Sequence, residues 1–404
     1  MNSLSELRKP VILVFARYYL PGYRAGGPVR SLSNLVRALG STYDFRIVCF
    51  DRDHGSDQRY TNIEIGKWQR RGDALIRYAS PHELGFTFCR KMLLETKPDM
   101  IYLNSLFDRA FSMKPLLALG HGRGTPILLT PRGELSSGAL GLKAWRKRLF
   151  LSAVRAIGLY KHLHWHACSK QEYELIQQRF SPELSKLFMA TNIPEAEQSN
   201  IRRNTAKQPG KLRIVLAARI SPMKNTLAAI HIACQLSGGI ELDLWGLLED
   251  KDYWEACQRE IALSPPGLKV TYRGEVEHEK LHTLLHEYDV MLLPTLGENF
   301  SHAIIEALDA GLPVVISDRT PWRNLGQAGV GEDLPLEDEQ AFVRTLARYQ
   351  AMNESEIAAV REACRRYVVE WRIKNKNLDN YNKMFNAVIE SRRPAYLQPF
   401  KFEN

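Results

Sequence analysis

Short apolar segments alternate with longer amphipathic segments along the whole chain. The first half contains four strand-like segments, each followed by a Gly, Pro or polar turn: KPVILVFA, FRIVCF, DMIYLN and TPILLTP. The second half contains five more, which are LRIVLAAR, IELDLWG, KVTYRG, DVMLLPT and LPVVIS. Segments between them, such as VRSLSNLVRAL, NTLAAIHIACQL and HEKLHTLLHEY, have the apolar spacing of helices. This βαβ alternation predicts parallel sheets that helices cover on both faces.

The polar segment PEAEQSNIRRNTAKQPGK, residues 194–211, has no such periodicity and is predicted to be a linker. It would separate an N-terminal domain over 1–193 from a C-terminal domain over 212–384. A last helix, over about 385–404, is expected to pack back on the N-terminal domain. The fold class predicted from the pattern is therefore α/β, with two doubly wound parallel-sheet domains.

Charge is distributed unevenly between the two halves. Residues 1–200 hold 29 Lys and Arg against 17 Asp and Glu, a net +12, whereas the whole chain carries only +10. The asymmetry favours an anionic partner for the first half, such as phospholipid, lipid diphosphate or nucleic acid. A basic surface that serves only solubility is the alternative. Aromatic residues interleave with Lys and Arg in one short segment alone, which disfavours nucleic acid.

Several protein classes are excluded by missing motifs. No G-x-G-x-x-G follows the first strand of either half, and the chain contains no P-loop, so dinucleotide dehydrogenases and P-loop enzymes are disfavoured. Six cysteines without a C-x-x-C pair indicate neither a zinc ribbon nor a disulfide framework. No stretch approaches the roughly 20 apolar residues that span a bilayer. The prediction is a cytoplasmic protein, peripheral at most on the inner face of the plasma membrane.

Charged side chains follow two strands of the second half. Arg219 and Lys224 come after LRIVLAA, and Glu298 comes after DVMLLPT, with Glu306 eight residues further on. Because ligands of such sheets bind outside the carboxyl ends of the strands, these residues are expected to share one crevice. Two cations there suit a diphosphate.

A helix running toward Ala310 is predicted to begin in the same segment. Asn299 or Ser301 is expected to cap it, which would direct its free N–H groups at the phosphates. At 1.5 Å per helical residue, Glu298 and Glu306 would lie roughly 12 Å apart, about the reach of a folded nucleotide sugar. The alternative is that all four charged residues are solvated surface charges or partners of the helix dipole.

The pattern R-x4-K-N followed by G-E-N-F-x5-E-A-L-x-A-G-x-P-V-V resembles the donor-site signature of retaining family 4 glycosyltransferases of the GT-B fold. The resemblance implies two Rossmann-like domains that face each other across a cleft. It implies that Arg219, Lys224 and Glu298 are the catalytic residues, with both cations on the donor diphosphate. The other donor-side residues that it implies are Glu306 on the ribose, the backbone of Asn299, Phe300 and Ser301 with Glu298 on the sugar, Gly246, and Gly274 near the nucleobase.

The resemblance also implies an acceptor side in the first half. A glycine pair after the first strand, Gly26 and Gly27, would face the donor phosphate. An ordinary flexible loop, with Pro28 starting the helix, is the alternative there. A bacterial polysaccharide-biosynthesis subgroup shares N-S, P-R-G-E-x-S-x-G-A-L and T-P-W with this chain, the last as Thr320-Pro321-Trp322. The acceptor-side candidates are Tyr23, Arg24, Asn104, Ser105, Arg132 and Glu134, and a loop salt bridge is the alternative for the last two.

Three further features remain open from the sequence. The segment 143–151, KAWRKRLFL, is either a helix at an anionic membrane or a buried helix with one solvated face. Asp51 and Asp53 form a D-x-D in the half that does not bind the donor, where they are expected to close a loop. The alternating His162, His164 and His166, on a predicted strand, and a second set at 278, 282 and 286 are predicted to be partly exposed structural residues rather than metal ligands.

The predicted activity is retaining transfer of a sugar from a nucleoside diphosphate to an acceptor hydroxyl, without a metal. The co-substrate is a nucleotide sugar, with UDP favoured over GDP, and no cofactor is expected. The acceptor would be a lipid-linked or growing oligosaccharide, such as one on a polyprenyl diphosphate, in bacterial surface polysaccharide synthesis. A nucleotide-sugar epimerase or phosphorylase on the same fold, or a non-catalytic basic binder of membranes or nucleic acid, are the alternatives.

Overall fold

The chain divides into two compact units. The computed structural model describes residues 8–119, 124–136, 158–195 and 206–392, and also residues 145, 149, 151, 152 and 154. Unit 1 comprises the chain up to Leu135, a stretch ending at Ile193, and a returning segment that begins at Asn377. Unit 2 runs from Pro194 to Lys376 and also includes the described residue Ser136, so the return to unit 1 at Asn377 begins before the expected residue 385. Residues 196–205 of the expected linker and 393–404 of the expected last helix lie outside the described residues.

Unit 1 contains an eight-stranded sheet within its described residues, in the order β3-β4-β2-β1-β5-β6-β7-β8. Neighbouring strands are parallel except for the antiparallel pair β3 and β4. The strand β1, in the middle of the sheet, is buried along its whole length because helices cover both faces of the sheet. The strands are β1 Val11–Phe15, β2 Asp44–Phe50, β3 Trp68–Arg71, β4 Ala74–Ala79, β5 Met100–Leu103, β6 Ile127–Leu129, β7 His164–Ala167 and β8 Leu187–Met189.

The predicted helix after the first strand begins at Gly27, two residues before the expected Val29. Gly26 precedes it with φ 67°, a left-handed conformation that favours glycine, and Pro28 lies in its first turn. The described helices of this part of unit 1 are α1 Gly27–Leu39, α2 Phe86–Thr96, α3 Lys114–Leu119 and α4 Lys170–Phe180, with a π-helical segment at Arg109–Met113 before α3.

The returning segment forms a helix that completes the core of unit 1. Its buried residues Tyr381 and Phe385 pack among the strand residues Phe45 and Tyr102. At the start of this helix, the Asn377 side chain donates to the backbone carbonyl of Asn192, three residues after β8, at 2.8 Å. Packing of this last helix on the N-terminal unit is therefore a feature of the fold.

Unit 2 contains a six-stranded parallel sheet among its described residues, in the order β11-β10-β9-β12-β13-β14. Its strands are β9 Lys211–Ala217, β10 Gly239–Trp245, β11 Leu268–Gly274, β12 Val290–Leu293, β13 Val314–Ser317 and β14 Gly331–Leu334. The first five coincide with the predicted strands. The order reverses between β9 and β12, the point at which doubly wound sheets bind their ligands.

Helices separate the strands of unit 2 as the alternation predicts. They are α5 Thr226–Cys234, α6 Lys251–Ala262, α7 His278–Leu285, α8 His302–Asp309, α9 Leu325–Ala328, α10 Glu339–Ala351 and α11 Glu354–Asn375, and the returning helix of unit 1 is α12 Asn377–Glu390. The long α11 begins with a capping box between Asn353 and Glu356. No helix in the described ranges has both the length and the apolar character needed to cross a membrane.

His166 lies at the centre of the core of unit 1 and is fully buried. Its Nδ1 is 2.7 Å from the Tyr102 hydroxyl and its Nε2 is 2.8 Å from the Ala190 carbonyl. The hydroxyl donates and the carbonyl accepts, so a neutral ring protonated at Nε2 satisfies both bonds. Burial, helped by the nearby Arg132 guanidinium, lowers the pKa of His166 to about 3.

We expect this histidine to make the stability of unit 1 pH-dependent. The unfolded chain protonates His166 below about pH 6.5 and the folded chain does not, so stability falls as the pH falls through that value. Urea unfolding of the wild type and of His166→Gln is measured at pH 7 and pH 5. The wild type is expected to lose about 2 kcal/mol more between these values than the variant. An equal loss in both would show that His166 protonates freely in the fold.

Candidate functional site

The loops that follow β9 and β12 lie side by side at the switch point of the sheet in unit 2. A short 3₁₀ turn, Pro222–Lys224, follows β9, and Asn225 after it has φ 56°. The Asn225 side chain donates to the Pro294 carbonyl at 3.0 Å, and the Thr295 hydroxyl donates to the Met223 carbonyl at 2.9 Å. Thr295 is fully buried. These bonds fix the positions of the two segments that carry the predicted cations and carboxylates.

Lys224 and Glu298 form an ion pair between the two loops. The exposed fractions of their side chains are 16% and 8%, so the pair is largely withdrawn from water. The backbone N–H of Glu298 is held by the Arg319 carbonyl at 2.9 Å, and the Thr295 hydroxyl lies 3.3 Å from its carboxylate. The alternative of two solvated surface charges is therefore wrong for this pair.

Arg219 lies in the same loop and contacts a carboxylate that the sequence analysis missed. Its guanidinium is 2.6 Å from Glu249, with exposed fractions of 36% and 32%. Glu249 lies there because the chain after β10 forms a parallel bridge with Ile220. The Ile220 N–H donates to the Leu247 carbonyl at 2.9 Å, and the Glu249 N–H donates to the Ile220 carbonyl at 3.2 Å. Its place just beyond Leu244-Trp245-Gly246, at a strand end, was the signal that could have found it.

The helix α8 begins at His302, directly after the expected capping residue Ser301, but without the expected side-chain cap. Ser301 occupies the N-cap position with φ 62°, and its side chain makes no capping bond, because this left-handed backbone differs from the extended one that caps use. The predicted capping by Ser301 is therefore wrong. Since the helix starts at His302, the helical rise does not set the separation of Glu298 from Glu306 either. Glu306 lies within α8 and is half-buried.

Phe300 anchors the loop before α8 in the core of unit 2. Its ring packs 5.7 Å from Trp322 and 5.9 Å from Trp371, measured between centroids, and it is nearly fully buried. The Trp322 indole N–H donates to the Phe300 carbonyl at 2.5 Å. The Phe300 carbonyl therefore already accepts a hydrogen bond from within unit 2. Asn299 is the preceding residue of the same loop. Trp322 belongs to the T-P-W triplet noted in the sequence, which thus supports the loop from inside.

The two predicted donor-side glycines have different structural roles. Gly246 has φ 149°, and a Cβ atom there would lie 2.0 Å from the Ala218 carbonyl oxygen. Close packing of β10 against the segment after β9 therefore demands glycine at this position. Gly274, at the end of β11, has φ 83° with open space around it. Its carbonyl accepts from the Gly246 N–H at 2.9 Å.

In unit 1, the acceptor-side candidates Arg132 and Asn104 bind each other. The guanidinium donates to the Asn104 side-chain oxygen at 2.8 and 3.2 Å, to Asn192 at 2.6 Å and to the Tyr102 hydroxyl at 3.2 Å. All these partners are uncharged, so Arg132 links the ends of β5, β6 and β8 and, within the described part of the chain, is not half of a loop salt bridge.

Glu134 and Ser105 form the second acceptor-side pair. The Ser105 hydroxyl donates to the carboxylate at 2.8 Å, and the backbone N–H groups of Leu106 and Phe107 donate to it at 2.5 and 3.1 Å. Burial raises the pKa of Glu134, although these hydrogen bonds act in the opposite direction. The carboxylate thus holds the loop after β5 in place. The structure therefore joins four of the predicted acceptor-side residues into two adjacent pairs.

The loop with the glycine pair is held by Asp53. One carboxylate oxygen of Asp53 accepts from the backbone N–H groups of Tyr23 and Arg24 at 2.9 and 3.2 Å. The Tyr23 ring itself is 45% exposed. Neither Gly26 nor Gly27 has an atom within 4 Å of an added Cβ, so open space surrounds both. Asp53 of the D-x-D motif therefore organises the loop that carries Gly26 and Gly27. The sequence had indicated that this motif closes a loop.

The histidines do not form the arrangement expected from their spacing. β7 starts at His164, so His162 lies outside the strand and is exposed, whereas His164 and His166 are buried. His282 and His286 on or beside α7 are buried as well. The prediction of partly exposed histidines is thus wrong for these four. Nowhere in the described parts of the chain do three His, Cys, Asp or Glu residues cluster closely enough to bind a metal.

Residues 197–366 match a family model described as Glycosyl transferases group 1. The chain carries a domain of this family. The matched region contains every donor-side candidate of unit 2, from Arg219 to Glu306. It follows that the residues at the switch point lie within the part of the chain that defines the family.

Two curated relatives agree with the match to this domain. The phosphatidyl-myo-inositol mannosyltransferase of Mycobacterium leprae (strain TN) is 32% identical over 109 residues, which are 26% of this chain and 29% of that protein. The putative glycosyltransferase EpsF of Bacillus subtilis (strain 168) is 24% identical over 230 residues, 54% of this chain and 59% of that protein. The matches span less than two thirds of either relative.

A solved structure shows the same fold. The crystal structure of Anabaena Alr3699/HepE in complex with UDP-glucose superposes with a TM-score of 0.66 at 14% identity, covering 93% of this chain and 99% of that one. The predicted GT-B class with two parallel-sheet α/β domains is therefore confirmed.

A glycine-to-alanine pair tests the close packing at Gly246. Gly246→Ala places a methyl group against the Ala218 carbonyl and is expected to destabilise unit 2 by about 3 kcal/mol or more. Gly297→Ala is the control, since an added Cβ there meets no atom within 4 Å, and it is expected to cost less than about 1 kcal/mol. Thermal or urea unfolding measures both. Equal stability of the two variants would contradict the packing argument.

Proposed function

We propose that this glycosyl transferases group 1 protein moves a sugar from a nucleoside diphosphate to an acceptor hydroxyl with retention of configuration, as family 4 enzymes do. The observation that carries the proposal is the buried contact of Lys224 with Glu298 at the switch point of unit 2. A cation from one strand end and a carboxylate from the next are the groups that a diphosphate and a sugar need. UDP is favoured over GDP as the nucleotide.

The donor would be held by charge and by helix geometry. Arg219 and Lys224 bind the diphosphate oxygens, and the N-terminus of α8 adds backbone N–H groups and the positive end of its dipole. Glu306 accepts from the ribose hydroxyls and Glu298 from those of the sugar. Gly246 and Gly274, with the backbone at Asn299, Phe300 and Ser301, complete the donor side.

Catalysis would then consist mainly of electrostatic stabilisation of the departing diphosphate, worth about 2.7 to 4 kcal/mol for a well-aimed donor. Retention through a protein nucleophile requires two carboxylates about 5 to 5.5 Å apart across the reacting carbon. Glu298 is assigned here to the sugar hydroxyls rather than to the reacting carbon, so we favour same-face attack, in which the leaving phosphate oxygen takes the proton of the acceptor hydroxyl. The proposed chemistry uses no metal.

The acceptor would bind to unit 1. The best-placed candidates are Tyr23, whose ring is exposed, and the half-buried Arg24. Both precede the open space around Gly26 and Gly27. Asn104, Ser105, Arg132 and Glu134 shape the neighbouring strand ends. The M. leprae relative is named for mannosyl transfer to phosphatidyl-myo-inositol, which supports a lipid-linked acceptor. Surface polysaccharide synthesis is the setting that the sequence motifs favour.

Lys224→Ala is expected to lower the transfer rate by two or more orders of magnitude, because it removes a cation from the leaving diphosphate. Donors are first found by thermal shift, since a nucleotide sugar at 100 times its dissociation constant adds about 2.7 kcal/mol of stability. Lys280→Ala on α7 is the matched control, because Lys280 forms an exposed pair with Glu277.

Several outcomes would contradict the proposal. Full transfer activity of a folded Lys224→Ala protein would show that Lys224 does not hold the departing diphosphate. A wild type that binds membranes or nucleic acid and transfers no sugar would indicate a non-catalytic binder that keeps only the scaffold. Formation of a sugar of different configuration in the absence of any acceptor alcohol would indicate an epimerase. Formation of a sugar phosphate that depends on inorganic phosphate would indicate a phosphorylase. Thermal unfolding of each variant, measured beside the activity, separates loss of function from loss of fold.

The basic segment 143–151 is proposed to bind an anionic membrane surface. Most of it lies outside the described residues, but Trp145 and Leu149, four positions apart, are 68% and 65% exposed. Co-sedimentation is expected with vesicles that contain phosphatidylglycerol and not with vesicles of phosphatidylcholine alone. Replacing Trp145 and Leu149 by Ser is expected to weaken the binding, and unchanged binding would assign the contact to another surface.

A further inference from the structure

Both cations proposed to hold the donor diphosphate contact a carboxylate of their own unit. Lys224 pairs with Glu298, and Arg219 pairs with Glu249 at 2.6 Å. The carboxylate oxygens thus occupy positions on the cations that phosphate oxygens would take. A diphosphate that binds both cations must therefore displace the carboxylates or share the cations with them.

The two ion pairs differ in how far they are buried, and therefore in the cost of separating their partners. Arg219 and Glu249 are each about one third exposed, so water replaces either partner at little cost. Glu298 is only 8% exposed, and its backbone and the neighbouring Thr295 are fixed by hydrogen bonds. A buried carboxylate that loses its cation is strongly unfavourable unless another donor reaches it. Sugar hydroxyls of the donor are such donors.

We propose that Lys224 and Arg219 exchange their carboxylate partners for the donor diphosphate, and that the released Glu298 then accepts from the sugar hydroxyls. This rests on the proposed function. As a consequence, a nucleoside diphosphate without a sugar leaves Glu298 buried without its cation and with Thr295 as its neighbouring donor, whereas the nucleotide sugar supplies further donors. Glu298 thereby discriminates the intact donor from the nucleoside diphosphate product, and Glu249 sets how tightly any diphosphate binds.

The role of Glu249 is tested by calorimetric titration with UDP and GDP. Glu249→Gln removes the competing anion from Arg219, so the better-bound nucleotide is expected to bind about two- to fivefold more tightly than to the wild type. Glu362→Gln is the matched control, because it removes the same charge from an exposed arginine pair on α11, at 3.2 Å from Arg365. Weaker binding to Glu249→Gln would overturn the exchange at this pair, since it would mean that Glu249 orients Arg219 for the phosphate. Equal tightening in both variants would reduce the effect to net charge and overturn it as well.

The role of Glu298 is tested by comparing UDP with UDP-glucose, and GDP with GDP-glucose, on the wild type and on Glu298→Gln. The variant is expected to bind the nucleoside diphosphate more tightly, and to lose at least fivefold of the preference for the nucleotide sugar over it, because a neutral amide accepts more weakly than a carboxylate. Weaker binding of the nucleoside diphosphate to the variant, with an unchanged preference, would overturn the exchange. Thermal unfolding confirms that the variant is folded. Absence of any nucleotide binding by the wild type would instead overturn the proposed function.

Discussion

The hydrogen bonds between the loops after β9 and β12 are the constraint on which the donor side of this protein depends. A fully buried threonine hydroxyl, Thr295, and the Asn225 side chain join the two segments through backbone carbonyls. Because the strand order reverses there, the connections of β9 and β12 diverge, and open α/β sheets bind their ligands at such points. The hydrogen bonds between the two loops position Lys224 and Glu298 before a ligand binds.

Charge balance in the ligand-free unit follows from the same constraint. Cations that are fixed in place for an anionic substrate repel each other and attract other anions when the substrate is absent. Here the chain supplies the compensating charges itself, in Glu298 and Glu249. In the proposed donor site, these carboxylates balance the charges of Arg219 and Lys224 and hold both cations in place before a diphosphate would bind.

Much of the fold was predictable because its strands are buried on both faces and therefore form continuous apolar runs, as in β1 and β12. Two of the strands that the pattern did not predict, β3 with the sequence WQRR and β14 with GEDL, lie at sheet edges, where polar residues are tolerated. The positions of Arg219, Lys224 and Glu298 followed from the strand ends. Their ion pairs did not, because Glu249 reaches Arg219 through a backbone extension beyond β10, and its place at a strand end does not name its partner. The backbone at Ser301 was equally hidden, since serine seldom adopts a positive φ.

The returning helix α12 has a consequence for how the polypeptide is made. Apart from Ser136, unit 2 is inserted between two parts of unit 1, and its described residues end at Lys376. On the ribosome, the domain that is second in sequence is thus the first to be covalently complete, while the core around Phe45 and Tyr102 stays open until Tyr381 and Phe385 emerge. A premature stop near residue 377 would consequently damage unit 1, exposing aromatic surface to chaperones and proteases although the chain of unit 2 is complete.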